Sequence, residues 1–258
     1  MSMPQPAHLD PSGYAADGGP VGVVLVHGLT GSVAETRPMG EYLAARGLSV
    51  QCPLLPGHGT HPQDLMRVRW QAWASEVELA LHDLQRGCPT VFLGGLSLGA
   101  LLALWLAVEH ANIAGLIPMA PGIKLLNPLA PLALGLRYLL KYNPLGPVGD
   151  DDLIDPEAIH RIWCYDELPL WAVGEYYLFL RRVRQVLPEI RQPILIFQGR
   201  HDAKLHPQAA QEVYDYVASA DKTLVWLEHS GHNLLADGER ESVWAQSYDW
   251  MMRVSEGA

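Results

Sequence analysis

Three side chains in this 258-residue chain have the types and the order that acyl-bond cleavage requires: Ser97, Asp202 and His232. A serine hydroxyl is a weak nucleophile until a base accepts its proton and a carboxylate orients that base. Ser97 is the centre of Gly95-Leu96-Ser97-Leu98-Gly99, which lies between an apolar run that reads as a strand and one that reads as a helix. In that setting G-x-S-x-G forms a sharp strand-to-helix turn that projects the serine, with glycines where the backbone must pass closely. Eleven histidines compete for the role of base, so position decides. His232 stands in Ser230-Gly-His-Asn233 just after the last apolar strand pattern, and Asp202 in Gly199-Arg-His-Asp202 just after the one before it. A third element is His27-Gly-Leu-Thr-Gly31, after the first apolar run. Attack on a carbonyl builds an oxyanion that two backbone N–H groups can stabilise. The expected donors are Leu98, directly after the serine, and Leu29 in the glycine-bracketed loop. His27 reads as a hydrogen-bonding residue that shapes this loop.

These residues need a scaffold that brings distant positions to one edge. Short apolar, β-branched runs at Val21–Val26, Leu48–Cys52, Thr90–Gly94, Ile113–Met119, Pro193–Phe197 and Thr223–Leu227 read as strands buried on both faces. Amphipathic stretches fill the gaps between them. Trp70, Trp73, Val77, Ala80, Leu81 and Leu84 fall at offsets 0, 3, 7, 10, 11 and 14, one helical stripe. Leu98–Val108 is apolar on every side and reads as a helix buried against the sheet. Further helices are expected around Met39–Leu43, Ala210–Val217 and Val243–Met251. Strands separated by single helices imply right-handed crossovers and a mainly parallel, doubly wound α/β sheet. Ser97, Asp202 and His232 each follow a strand, so they line the crevice at the sheet's carboxyl edge. Residues 121–191 break the alternation and are rich in proline and aromatics. They read as a largely helical cap inserted into a core formed by 1–120 and 192–258.

Composition narrows the function. Lys+Arg of 18 against Asp+Glu of 28 gives a formal charge of −10 with no basic run, which argues against nucleic-acid binding. Cys52, Cys88 and Cys164 are an odd, scattered set, expected as buried thiols in a reducing compartment. The first twenty residues lack a basic and apolar leader pattern, and no stretch reaches the length of a membrane span. The expectation is a cytoplasmic protein with no membrane anchor, monomeric or homodimeric.

HGLTG at 27–31, LPGHGT at 55–60, GLSLG at 95–99, GRHD at 199–202 and SGH at 230–232 together resemble the α/β-hydrolase family, and within it bacterial carboxylesterases and monoacylglycerol lipases. The resemblance implies a Ser97–His232–Asp202 triad, an oxyanion hole from Leu29 and Leu98, and a cap after the sixth strand of the fold. It implies a small-molecule ester substrate, of short-to-medium acyl chain or a monoacylglycerol, and no metal or organic cofactor. The same triad on an amide, a thioester or a carbon–carbon bond is the alternative, followed by a non-catalytic small-molecule receptor of this fold.

The cap offers further candidates. Trp163, Tyr165, Trp171 and Tyr176, with Tyr177, are expected to wall an acyl pocket or to glue cap to core. Glu167 and Glu175 are expected to hold a polar alcohol portion such as glycerol. His58, His61 and Asp64, like His201, Asp202 and His206, lack the spacing of a metal site. Asp150, Asp151, Asp152 and Asp155 read as a solvated acidic turn.

Overall fold

A computed structural model describes residues 9–143 and 153–257. Seven strands form one sheet: β1 Tyr14–Ala16, β2 Val21–Val26, β3 Ser49–Cys52, β4 Thr90–Leu96, β5 Gly115–Met119, β6 Ile194–Gly199 and β7 Lys222–Leu227. Their order is β1-β3-β2-β4-β5-β6-β7. All neighbours pair in parallel except β1, which runs antiparallel to β3 with Tyr14 opposite Cys52. The expected parallel, doubly wound sheet is therefore present, extended by one edge strand. Three half-exposed residues of β1 carry too little alternation to announce a strand.

The central strands are apolar because both faces are covered. Residues of β4, β5 and β6 are buried almost throughout. Helix α1 (Val33–Ala44) packs with α7 (Arg240–Glu256), while α2 (Trp70–Gln85) packs with α3 (Leu98–Glu109). In α2 the predicted stripe is the buried one, from Trp70 through Leu84. In α3 nine of twelve residues are buried, as its uniform apolarity requires.

Register sets the height of each strand end. Gly95 of β4 stands beside Val26 of β2 and Pro118 of β5, so the loops after these strands emerge together. The insertion leaves after β5 and returns at β6. Its helix is concentrated in α5 (Leu170–Val186), with a short α4 (Ala133–Leu136), and α6 (Ala209–Tyr216) follows β6. Prolines 131, 156 and 188 sit in the first turns of three brief 3₁₀ segments, where a missing N–H is tolerated. No helix among the described residues is long and apolar enough to cross a membrane.

Candidate active site

Ser97 lies between β4 and α3 with φ 54° and ψ −103°, a backbone state that non-glycine residues seldom adopt. Its surroundings fix that state. The Ser97 N–H donates to Met119 O of β5 at 2.9 Å. A Cβ on Gly95 would meet Val26 O and the backbone of Gly99 at 2.6 Å, and one on Gly99 would collide with Val26 O. The two glycines thus let α3 start hard against β2, and the serine is carried on the resulting bend.

Asp202 follows β6 and His232 follows β7. His232 Nδ1–H donates to Asp202 Oδ2 at 2.9 Å, which leaves Nε2 as the basic nitrogen. Gln198 Nε2 donates to the same oxygen at 2.8 Å, and the N–H groups of Lys204 and Leu205 each donate to Oδ1 at 2.9 Å. Burial acts to raise the Asp202 carboxyl, but the charge and hydrogen bond of His232, with the Leu205 N–H and Gln198, outweigh it. The carboxyl is held well below the usual carboxylate range. Ser97 and His232 keep 9 % and 8 % exposure, and that remnant opens into a shared cavity of about 180 Å³.

The loop after β2 forms the facing wall. Gly28, Leu29 and Thr30 line the cavity with Ser97, and a Cβ on Gly28 would lie 3.7 Å from Ser97 Cβ. Leu98 begins α3, so its N–H has no acceptor within the helix and stands at the positive end of the dipole. His27 is buried below the loop. Its Nδ1–H donates to Gly28 O at 2.9 Å, and its Nε2 accepts from Leu55 N–H at 3.1 Å. Both nitrogens are satisfied in the neutral ring alone, and burial holds its pKa down to about 4. Glu35, on the first turn of α1, was not among the sequence candidates. Its Oε2 accepts from Gly28 N–H at 3.0 Å and its Oε1 from Asn233 Nδ2 at 3.4 Å. One buried carboxylate thereby ties the residue before Leu29 to the residue after His232. Asp237 was also missed: its Oδ2 accepts from Gly231 N–H at 2.8 Å, bracing the histidine loop.

Of the seven insertion residues offered as substrate contacts, Tyr176 lines the cavity. Its hydroxyl donates to Gly122 O at 2.9 Å and lies within hydrogen-bonding reach of the Ser97 side chain. The others stand elsewhere. Tyr165 OH accepts from Thr60 N–H at 3.0 Å and donates to Gly57 O at 2.9 Å, so it pins the loop after β3, and Trp163 packs on its ring. Trp171 Nε1–H donates to Val68 O at 3.0 Å. Glu167 is exposed near Tyr142. Glu175 is buried: it pairs with Arg137 at 2.9 Å and accepts from Trp70 N–H, the first of α2, at 3.3 Å. Neither glutamate lines the cavity. Their acidity suggested a polar site; in Glu175 it serves a helix N-terminus and an ion pair. Tyr177 stands in a separate surface groove.

The remaining polar candidates have local tasks. Asp64 Oδ2 accepts from Thr60 Oγ1 at 2.6 Å, and His206 Nδ1 accepts from Gln208 N–H at 3.2 Å. His58 faces the ring of His27 at 4.9 Å and that of Tyr165 at 6.4 Å. Asp155 pairs with Arg161 at 2.5 Å; Asp150, Asp151 and Asp152 lie outside the described residues. Cys52 and Cys88 are buried, whereas Cys164 is half-buried and lines the cavity.

A nucleophile bend, a carboxylate-held histidine and a donor loop on one apolar cavity suit hydrolysis, and comparison with known proteins agrees. The family described as serine aminopeptidase S33 (Hydrolase_4) matches residues 21–239. The chain belongs to this family of hydrolases. It is 30% identical over 253 residues to a thermostable monoacylglycerol lipase of Bacillus sp. (strain H-257), covering 98% of this chain and 99% of that protein. A carboxylesterase of Bacillus subtilis (strain 168) is 28% identical, covering 95% and 97%. A solved structure from the metagenome-derived lipolytic enzymes LipS and LipT superposes with a TM-score of 0.85 at 26% identity, covering 95% of this chain and 98% of that one. The chain is thus a hydrolase of the α/β-hydrolase fold.

Proposed function

We propose that this hydrolase is a serine carboxyl-esterase that cleaves short-to-medium acyl esters or monoacylglycerols through an acyl-enzyme. The observation that carries the reading is the Asp202–His232 hydrogen bond in the wall of the cavity that Ser97 enters. In this mechanism His232 Nε2 takes the Ser97 proton as Oγ attacks the carbonyl carbon. Asp202 stabilises the imidazolium, and the N–H groups of Leu29 and Leu98 receive the oxyanion. The imidazolium then protonates the departing alcohol oxygen. Water, deprotonated by the same nitrogen, attacks the acyl carbon, and collapse of that second oxyanion frees the acid as Ser97 Oγ leaves and takes the proton back from His232.

Several features support an acyl substrate. The lining is mainly apolar, with Leu29, Leu125, Leu168, Val173 and Leu205 around the serine. A neighbouring hollow of about 290 Å³ shares Leu125, Leu168 and Val173 with it and continues among leucines of 129–136. An acyl chain leaving the cavity has an apolar path there. We assign residues 121–191 as a cap that sets chain-length preference, on a core of 1–120 and 192–258. The relatives named as monoacylglycerol lipase and carboxylesterase favour the same substrate class.

The family's description as an aminopeptidase keeps one second reading, the same triad acting on an aminoacyl amide. A p-nitrophenyl ester ladder from acetyl to palmitoyl, a monoacylglycerol series and an aminoacyl p-nitroanilide, each with wild type and Ser97→Ala, separate the two. Ester turnover that peaks at one chain length and vanishes in Ser97→Ala is the expected result. Turnover confined to the anilide would replace the ester reading.

A further inference from the structure

At the far end of α3, about 18 Å from Ser97 by the rise of twelve helical residues, three metal-binding side chains converge. Glu78 and His82 are four residues apart and share one face of α2. His110 closes α3, its backbone fixed by its N–H to Leu106 O at 2.8 Å and by the Ile113 N–H to its own carbonyl at 3.2 Å. One ligand atom from each of the three lies within 4.8 Å of the other two. His110 Nε2 is already 3.0 Å from Glu78 Oε1, and the His82 and His110 rings stand 5.4 Å apart at 79°.

We propose that Glu78, His82 and His110 bind one divalent ion of the zinc, cobalt or nickel type, clamping α2 to the end of α3 apart from the ester chemistry. Tetrahedral zinc with ligands near 2.0–2.1 Å sets its donor atoms about 3.4 Å apart. The Glu78–His110 edge has nearly that length, and a rotation of the exposed His82 ring supplies the third donor. Two imidazoles and one carboxylate suit a borderline metal, whereas magnesium and calcium demand mostly oxygen ligands. Solvent reaches Glu78, whose side chain is 40 % exposed, so water takes the fourth position. The sequence reading expects no metal because the third ligand belongs to another helix and matches no local motif. An ion held by two helices favours the folded chain, so its effect is on stability.

The experiment uses the full chain without a histidine tag, stripped with chelator and titrated calorimetrically with zinc chloride, alongside thermal melts. Wild type is expected to take up one equivalent in saturable fashion and to melt higher with zinc but not with magnesium. His82→Ala weakens binding by about tenfold or more, the scale on which metal sites respond to lost ligand support. Because His82 is on the surface, that variant keeps the metal-free melting temperature and ester turnover. Glu78→Gln, which preserves a hydrogen-bond acceptor for His110, weakens binding in the same way. Equal zinc affinity in wild type and His82→Ala overturns the proposal. Absence of saturable binding, or the same stabilisation by magnesium, does so too.

Discussion

Ser97 holds a backbone conformation that costs a non-glycine residue about 1–3 kcal/mol, and a nucleophile on a sharp bend gains exposure from it. Ser97→Gly therefore trades activity for stability. Ester turnover falls to background, while the melting temperature rises by about 2–4 °C for each kcal/mol of strain released. A Ser97→Gly protein that melts below wild type would show that the bend stores no strain. Glu35 is a positioning residue by the same kind of argument, since its carboxylate holds both Gly28 and Asn233 in the cavity wall. Removing one oxyanion donor outright costs about 10²–10³ in kcat, so letting the Leu29 loop drift in Glu35→Ala should cost roughly 10–100-fold. The loss is expected in kcat with KM little changed. Glu35→Gln, which retains an acceptor for Gly28, recovers part of it. A loss confined to KM, or no rescue by glutamine, points away from the loop.

At the level of elements, the sheet was readable because its strands are buried on both faces and so are apolar without interruption. Ser97, Asp202 and His232 were readable because each follows such a strand, and the fold turns strand ends into neighbours. The insertion resisted the same treatment. Trp171, Tyr165 and Glu175 are aromatic and acidic like pocket residues, yet their partners are Val68 O, Gly57 O and Arg137, contacts that no periodicity encodes. Glu35 was overlooked for a related reason: a glutamate in the first turn of a helix is ordinary, and its task depends on loops from both ends of the chain. The structural role of Glu175 has a direct test. Its pair with Arg137 has side chains only 10% and 6% exposed, and removing one member of a buried pair costs about 3–5 kcal/mol. Glu175→Ala should lower the unfolding free energy by about 3 kcal/mol while the ratio of monoacylglycerol to simple-ester turnover stays at the wild-type value. A changed ratio in a protein of unchanged stability would return Glu175 to the substrate site.

For the whole molecule, the charge state of the buried histidines limits how far the fold tolerates acid. His27 falls from an ordinary value of 6.5 to about 4, and burial with the nearby His27 ring pushes His58 down as well. Both are neutral in the folded chain and take up protons on unfolding. Between pH 6.5 and about 4 the unfolded state therefore binds more protons than the native one, and stability falls as the pH drops through that window. For His27 the difference amounts to about 3 kcal/mol, at 1.36 kcal/mol for each pKa unit. Asp202 acts in the same direction but only in stronger acid. Its depressed carboxyl stabilises the fold above the ordinary carboxylate value of 3.8, and that contribution is lost as the pH falls toward the folded value. The two groups are thus separable by window. Urea unfolding from pH 7 down to 4 should show a loss of stability that begins near the ordinary histidine value, while Asp202 still holds its charge. His27→Gln should be less stable at neutral pH, having exchanged two well-placed ring nitrogens for an amide, yet show a shallower decline across the window. The decline left in that variant belongs chiefly to His58. A variant that declines as steeply as wild type would place the acid sensitivity outside the His27 ring, with His58 the remaining buried imidazole in that window.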